Sequence, residues 1–335
     1  MKALPVLDQR SRPLRDLRIS VTDRCNFRCN YCMPKAVYGP NFRFLPKPQV
    51  LSFEEITRLA TLFVELGVKK LRLTGGEPLL RSELPVLVGM LAKLNADLAL
   101  TTNGSLLAKR AASLAAAGLS RVTVSLDSLD EAAFRSLNDV DFPVTAVLDG
   151  IDAAQAAGLS VKINCVVRRG FNADSIVGLA ERFRGTGHTL RFIEFMDVGI
   201  TNGWRLDEVV TADEIVARIG QRFELEPLAA HYPGEVARRF RYRDGQGEIG
   251  VIASVTQPFC SECSRARLSA DGHLYTCLFS NHGTDLREPM RSGASDTDLR
   301  ALFEDLWRRR TDRYSELRSS KTRQLGRVEM SYIGG

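Results

Sequence analysis

The sequence predicts an α/β protein, an incomplete (β/α)6 barrel of the TIM type followed by a C-terminal α+β extension. Three observations carry this. Short apolar-rich runs alternate with longer amphipathic stretches over the first two hundred residues, the pattern of βα units with right-handed crossovers. Neither common nucleotide fingerprint of open sheets is present: no G-x-G-x-x-G follows the first run, and no G-x-x-x-x-G-K-[ST] occurs anywhere. After about residue 200 the rhythm changes. An open doubly wound sheet competes with a barrel, and the missing fingerprints favour a six-unit partial barrel held open by something bound inside it.

The expected strands are 17–21, 69–75, 97–102, 121–128, 160–167 and 189–196. Ser52 and Glu55 form a capping-box pattern for the first helix, which Gly67 closes. Ala/Leu-rich stretches ending at Gly118 and Gly158 supply two more helices, and 173–184 another. Residues 204–223 read as one helix with its approach. "GEIGVIASV" and "ARLSADGHLYTCLF" read as antiparallel strands around a turn at Asp271-Gly272, and 283–326 as polar and helical. The expected division is 1–225 for the barrel and 226–335 for the extension. Segments 36–50 and 229–245 carry no readable signature.

The chain has 335 residues, 44% of them hydrophobic, and a net charge of +6. That charge is too mild for a protein that coats nucleic acid, and it suits an anionic small molecule. The opening residues lack a signal-peptide core, and no run of eighteen apolar residues predicts a membrane span. Seven cysteines without a secretory signal point to a reducing, cytoplasmic setting in which clustered thiols hold metal.

Cys25, Cys29 and Cys32 lie in "TDRCNFRCNYCMP", on the loop expected after the first strand. Three thiolates on a loop can take three corners of an iron–sulfur cubane and leave the fourth iron free. Zinc with a distant fourth ligand, or unliganded thiols, are the alternatives. "TGGEP", "TTNG", "SLD" and "EFM" end the second, third, fourth and sixth strands, where barrel active sites sit. Cys260, Cys263 and Cys277 form a second group, spaced C-x2-C-x13-C. By spacing alone it suits a Cys3His zinc site with His273 or His282, and a redox Cys-x-x-Cys is a further option. Two triads in one chain tip the reading towards two clusters. Cys165, inside an apolar strand, reads as a small buried hydrophobe. Arg265 and Arg267, at i and i+2 of a strand, share a face and suit phosphate oxygens.

C-x3-C-x2-C with Tyr31 before its last cysteine resembles the signature of the radical S-adenosylmethionine (SAM) enzymes. With the second triad, "SRAR" and the closing "SYIGG", the resemblance is to the branch of that family that cyclises GTP in molybdenum cofactor biosynthesis. It implies a lyase with two [4Fe-4S] clusters, on Cys25, Cys29 and Cys32 and on Cys260, Cys263 and Cys277. SAM would bind the first cluster beside Tyr31, Gly76, Ser125 and Met196. GTP would lie between the clusters, its guanine N1 or amine on the second, held by Arg18, Arg72, Thr101, Lys162, Arg265 and Arg267, with Arg191 a weaker candidate. A 5′-deoxyadenosyl radical would take hydrogen from ribose C3′, which then closes on guanine C8. Arg18 and the terminal Gly334 and Gly335 would serve catalysis. An electron donor such as a flavodoxin or ferredoxin, a downstream cyclic pyranopterin monophosphate synthase and a homodimer are the implied partners. Rival readings are a peptide-modifying radical SAM enzyme with an auxiliary cluster, and a zinc-binding adaptor whose basic patch meets RNA.

Overall fold

The computed structural model describes residues 6–319 and 326–334. Six βα units come first: β1 (Asp16–Ser20), α1 (Phe53–Glu65), β2 (Lys70–Thr74), α2 (Leu84–Leu91), β3 (Asp97–Thr102), α3 (Leu107–Ala116), β4 (Arg121–Ser125), α4 (Glu131–Asn138), α5 (Val144–Ala156), β5 (Ser160–Val167), α6 (Ser175–Phe183) and β6 (Thr189–Glu194). There follow α7 (Ala212–Gly220), β7 (Leu225–Leu228), β8 (Arg238–Tyr242), β9 (Glu248–Ile252), β10 (Arg265–Leu268), β11 (His273–Tyr275), β12 (Thr284–Asp285), α8 (Arg287–Arg291), α9 (Asp296–Arg308) and a terminal helical turn, Met330–Ile333.

The strands form one sheet in the order β12-β11-β10-β1-β2-β3-β4-β5-β6-β9-β8-β7. All neighbours from β10 to β9 are parallel. This corrects one sequence expectation. β9 and β10 do not pair with each other: β9 lies beside β6 and β10 beside β1, at opposite edges of the six-stranded core. The antiparallel partner of β10 is β11, through the turn at Gly272, whose φ of 89° suits glycine. The expected boundary at 225/226 falls inside β7, so both parts contribute to one sheet.

Alternation explains the two faces. Residues such as Leu17, Ile19, Leu71, Leu73, Val122 and Val124 face the helices and are fully buried. The opposite face carries Arg18, Arg72, Lys162, Arg191 and Arg267, in register across the strands: Arg267 pairs with Arg18, and Arg18 with Arg72. A parallel sheet is normally apolar on both faces, so a charged inner face marks a ligand-bearing lumen.

Local chemistry sets the helix ends. The Ser52 hydroxyl accepts from the Glu55 N–H at 3.1 Å while Glu55 accepts from the Ser52 N–H at 2.7 Å, closing the expected capping box. Phe63 of α1 stacks on Phe303 of α9 with centroids 4.4 Å apart, fastening the late helix onto the barrel. Both rings are buried. Phe303→Ala is expected to cost about 3–5 kcal/mol, read as a lower midpoint of urea unfolding with an unchanged slope.

Candidate active site

The loop after β1 carries Cys25, Cys29 and Cys32, all half-buried and unpaired. Its backbone turns tightly, the Cys32 and Met33 N–H groups donating to the Cys29 carbonyl at 2.9 and 2.8 Å. Arg28 binds the carbonyls of Cys25, Phe27 and Tyr38, each at 2.8 Å. "GGEP" is the other wall. The Gly76 N–H donates to the Thr22 carbonyl at 2.8 Å and the Glu77 N–H to that of Arg24 at 2.7 Å. A Cβ on Gly76 would lie 2.2 Å from the Arg24 oxygen, so only glycine fits.

Burial pushes the Cys25 thiol up to about 11, and burial with Cys25 as neighbour pushes Cys32 higher still. Thiols so destabilised as anions suit a cationic partner. Three soft sulfurs without histidine or carboxylate fit an iron–sulfur core better than a hard cation. Among the described residues, no three His, Cys, Asp or Glu side chains converge to grip a single metal ion.

Around this loop stand the other strand ends. Tyr31 donates to Asp127 at 2.6 Å, tying the triad to the end of β4, and burial lifts the Asp127 carboxyl to about 6. Ser125 ends β4 on the lumen face, in register with Asn164. Met196 lies half-buried just beyond β6, its carbonyl accepting from Asn202 at 2.9 Å. Sequence reasoning missed Glu77 and Asn103. Glu77, lifted to about 7 by burial, accepts from Thr102 Oγ1 and the Asn103 N–H, both at 2.7 Å. Asn103 Nδ2 reaches Asn26 at 2.9 Å and lies 3.8 Å from Cys25 Sγ. The signal was present: both residues sit in the "TGGEP" and "TTNG" strand ends.

Within the lumen, Arg18 and Arg72 have buried Nε atoms, and Thr101 a buried hydroxyl, that find no hydrogen-bond partner among the described residues. Burial, reinforced by Arg191 and Arg121, lowers Lys162 to about 8. Burial, then Arg72, takes Lys70 to about 7, although Asp16 lies 3.8 Å away. Arg191 donates to Asn164 at 2.9 Å and is lowered by burial, then by Arg72, to about 9. Crowded cations with orphaned donors are the inverse mould of a polyanion.

The second triad lies at the opposite end. Cys260 and Cys263 immediately precede β10, whose Arg265 is level with Asp16 at the start of β1. The hairpin rises along β10, turns at Gly272 and returns along β11, so that continuing its register brings Cys277 back opposite Arg265, two positions from Cys263. The thirteen intervening residues are this round trip. Arg265 and Arg310 each place an Nη2 3.2 Å from Cys263 Sγ. Burial raises this thiol, yet the two guanidiniums outweigh it and bring it down to about 6. His273 instead pairs with Asp271 at 3.0 Å. Cys165 is fully buried on the helix-facing side, as expected.

Gly334 enters the lumen. Its carbonyl accepts from Arg267 Nη1, and a Cβ there would lie 2.4 Å from Thr74 Cγ2. Tyr332 bonds Asp271, and the Ser331 and Tyr38 hydroxyls meet at 3.3 Å. Gly335 lies outside the described residues. Iron on the first triad would be lost in Gly76→Ala, purified anaerobically, with unchanged circular dichroism. Gly178→Ala, where an added Cβ meets nothing within 4 Å, keeps it.

The chain matches the Radical SAM superfamily over residues 19–183 and Molybdenum Cofactor Synthesis C over residues 188–316. It is 55% identical to a GTP 3′,8-cyclase of Acidothermus cellulolyticus over 99% of each chain. It is 48% identical to one from Staphylococcus aureus over 98% of this chain and 99% of that one. Among solved structures, Streptococcus suis SuiB bound to S-adenosylmethionine shares the fold, with a TM-score of 0.62 at 14% identity over 97% of this chain and 77% of that one. The chain belongs to the GTP 3′,8-cyclase family of radical SAM proteins.

Proposed function

We infer that the protein is a radical SAM lyase that converts GTP into (8S)-3′,8-cyclo-7,8-dihydroguanosine 5′-triphosphate, the first step of molybdenum cofactor biosynthesis. Relatives of that name match over nearly the whole chain. The observation that carries the reading is the lumen of orphaned cations between two cysteine triads. From the level of Asp16 to that of Ser20 the strand rises roughly 13 Å, at ~3.3 Å per residue, a span suited to an extended nucleoside triphosphate. The adaptor reading loses its ground, because the family is enzymatic.

Cys25, Cys29 and Cys32 would hold the first [4Fe-4S] cluster, with SAM lying along Gly76, Ser125 and Met196 near Tyr31. Cys260, Cys263 and Cys277 would hold the second, facing guanine. When bound, the first cluster and SAM supply the radical chemistry that joins C3′ to C8. The chain's own residues position and shield. Arg18, Arg72, Lys162, Arg265, Arg267 and Thr101 supply charge and donors to the triphosphate. Gly334 and Arg18 would border the reacting ribose and keep water out, a role the resemblance extends to Gly335. An electron donor such as a flavodoxin or ferredoxin, a synthase that takes the product, a homodimer and a cytoplasmic setting complete the proposal. Among the described residues, no helix is long and apolar enough to cross a membrane.

Anaerobic incubation with SAM, reductant and GTP tests this. The expected outcome is 5′-deoxyadenosine whose formation depends on GTP, and GTP-independent turnover would overturn the assignment. Arg72→Met removes a charge-assisted contact worth about 1.5–3 kcal/mol. GTP binding should then weaken roughly 10- to 100-fold, with SAM affinity unchanged. A second expectation follows from the lowered lysines. Lys162, near 8, and Lys70, near 7, are partly neutral at pH 8, and a bound polyanion raises both. GTP binding should therefore take up protons between pH 7 and 9. Titration calorimetry in buffers of different ionisation enthalpy measures the uptake, and Lys162→Met should reduce it.

A further inference from the structure

Outside the lumen, behind the second triad, two arginines and two aspartates form a largely buried network that joins residues 8–12 to residues 310–312. Arg12 Nε donates to Asp8 Oδ2 at 2.6 Å, and Arg310 Nη1 donates to the same oxygen at 3.2 Å. The side chains of Arg12, Asp8 and Arg310 are at most 2% exposed. Arg310 Nε donates to Asp312 Oδ2 and to the Thr276 carbonyl, both at 3.1 Å, and its plane covers Trp307 at 4.5 Å.

Other donors of the network reach the cysteine motif, while Arg12 Nη1 also binds the Asp312 carbonyl at 2.7 Å. Arg12 Nη1 binds the Cys260 carbonyl at 2.7 Å. Arg310 Nη1 binds the Cys263 carbonyl at 2.7 Å, and its Nη2 lies 3.2 Å from Cys263 Sγ. The Thr276 hydroxyl, next to Cys277, donates to Asp312 at 2.6 Å. Each cysteine is thus braced through its own or an adjacent peptide. Arg310 shares the Cys263 sulfur with Arg265 of β10, which makes its own bond to that atom.

We propose that Arg310, held by Asp8 and Asp312, is a positioning residue that tunes the electrostatics of a cluster on Cys260, Cys263 and Cys277 through its N–H···S bond. The proposal rests on the two-cluster reading. Hydrogen bonds and fixed charge at ligand sulfurs set the potential of iron–sulfur centres. Reduction adds negative charge, which a nearby guanidinium stabilises. Arg310→Gln should therefore move the second cluster's midpoint potential to more negative values, while Asp8→Asn, which strips a counter-charge from Arg12 and Arg310, should move it the other way. A brace with no electrostatic role predicts no such opposition of sign.

The test uses the full chain carrying Cys25→Ala, Cys29→Ala and Cys32→Ala, so that only the second triad can hold iron. Iron and sulfide are counted, and the potential is read by redox-poised electron paramagnetic resonance. Shifts of opposite sign, with Arg310→Lys lying nearer the unsubstituted value than Arg310→Gln, would support the proposal. If one variant loses its iron, the sign of the shift in the other decides. Shifts of the same sign, unmoved potentials, or loss of iron from both variants would overturn it. The two-cluster reading fails separately, if the chain with Arg310 and Asp8 intact holds no iron in this background.

Discussion

The pairing of β10 parallel to β1 is the constraint on which the rest depends. It adds to the first edge of the core a strand from a distant part of the sequence, in register so that Arg265 and Arg267 are level with Asp16 and Arg18. Because the strands share one direction, the loop leaving β1 and the turn entering β10 lie at opposite ends of the same lumen. Each triad therefore faces the other along the strand axis. An antiparallel β10 would have put both at one end.

The lumen's charge is costly for the fold alone. Arg18, Arg72, Lys162 and Arg191 crowd one another, and burying like charges together destabilises a native state by several kcal/mol. The barrel offsets this with the helix-facing side of every strand, which is almost wholly apolar. A bound polyanion would relieve this crowding, linking ligand binding and stability through the same residues. Gly334 supplies one partner already, its carbonyl accepting from Arg267.

Much of this was legible in the sequence. Period-two alternation and glycine stops located the six core strands, because each run is short, apolar on one side and bounded by turn residues. The charges on the alternate positions of those runs, Arg18, Arg72 and Lys162, fall on the lumen face as the alternation requires. The direction of β9 and β10 was not legible. An apolar run of four or five residues carries no mark of whether its neighbour is local or two hundred positions away. Asp8, Arg12 and Arg310 were equally invisible, since an Asp–Arg pair four positions apart meets an arginine some 300 positions later only through the packing of α9 against the barrel. Residues 229–237 turn back on the second triad, the Gly234 N–H donating to Glu262 at 2.9 Å. No local pattern announces that contact either.

The separations within each triad's surroundings have a consequence for how the holoprotein matures. The hydrogen bonds made directly to the first triad's sulfurs join residues no further apart than Cys29 and Asn138, whereas the brace behind the second joins Asp8 and Arg310 across 302 positions. Contacts so distant in sequence close late, because the chain entropy they cost is recovered only when most of the fold exists. The N-terminal thiols would thus be organised while much of the polypeptide is still unshaped, and the C-terminal ones only near the end of folding.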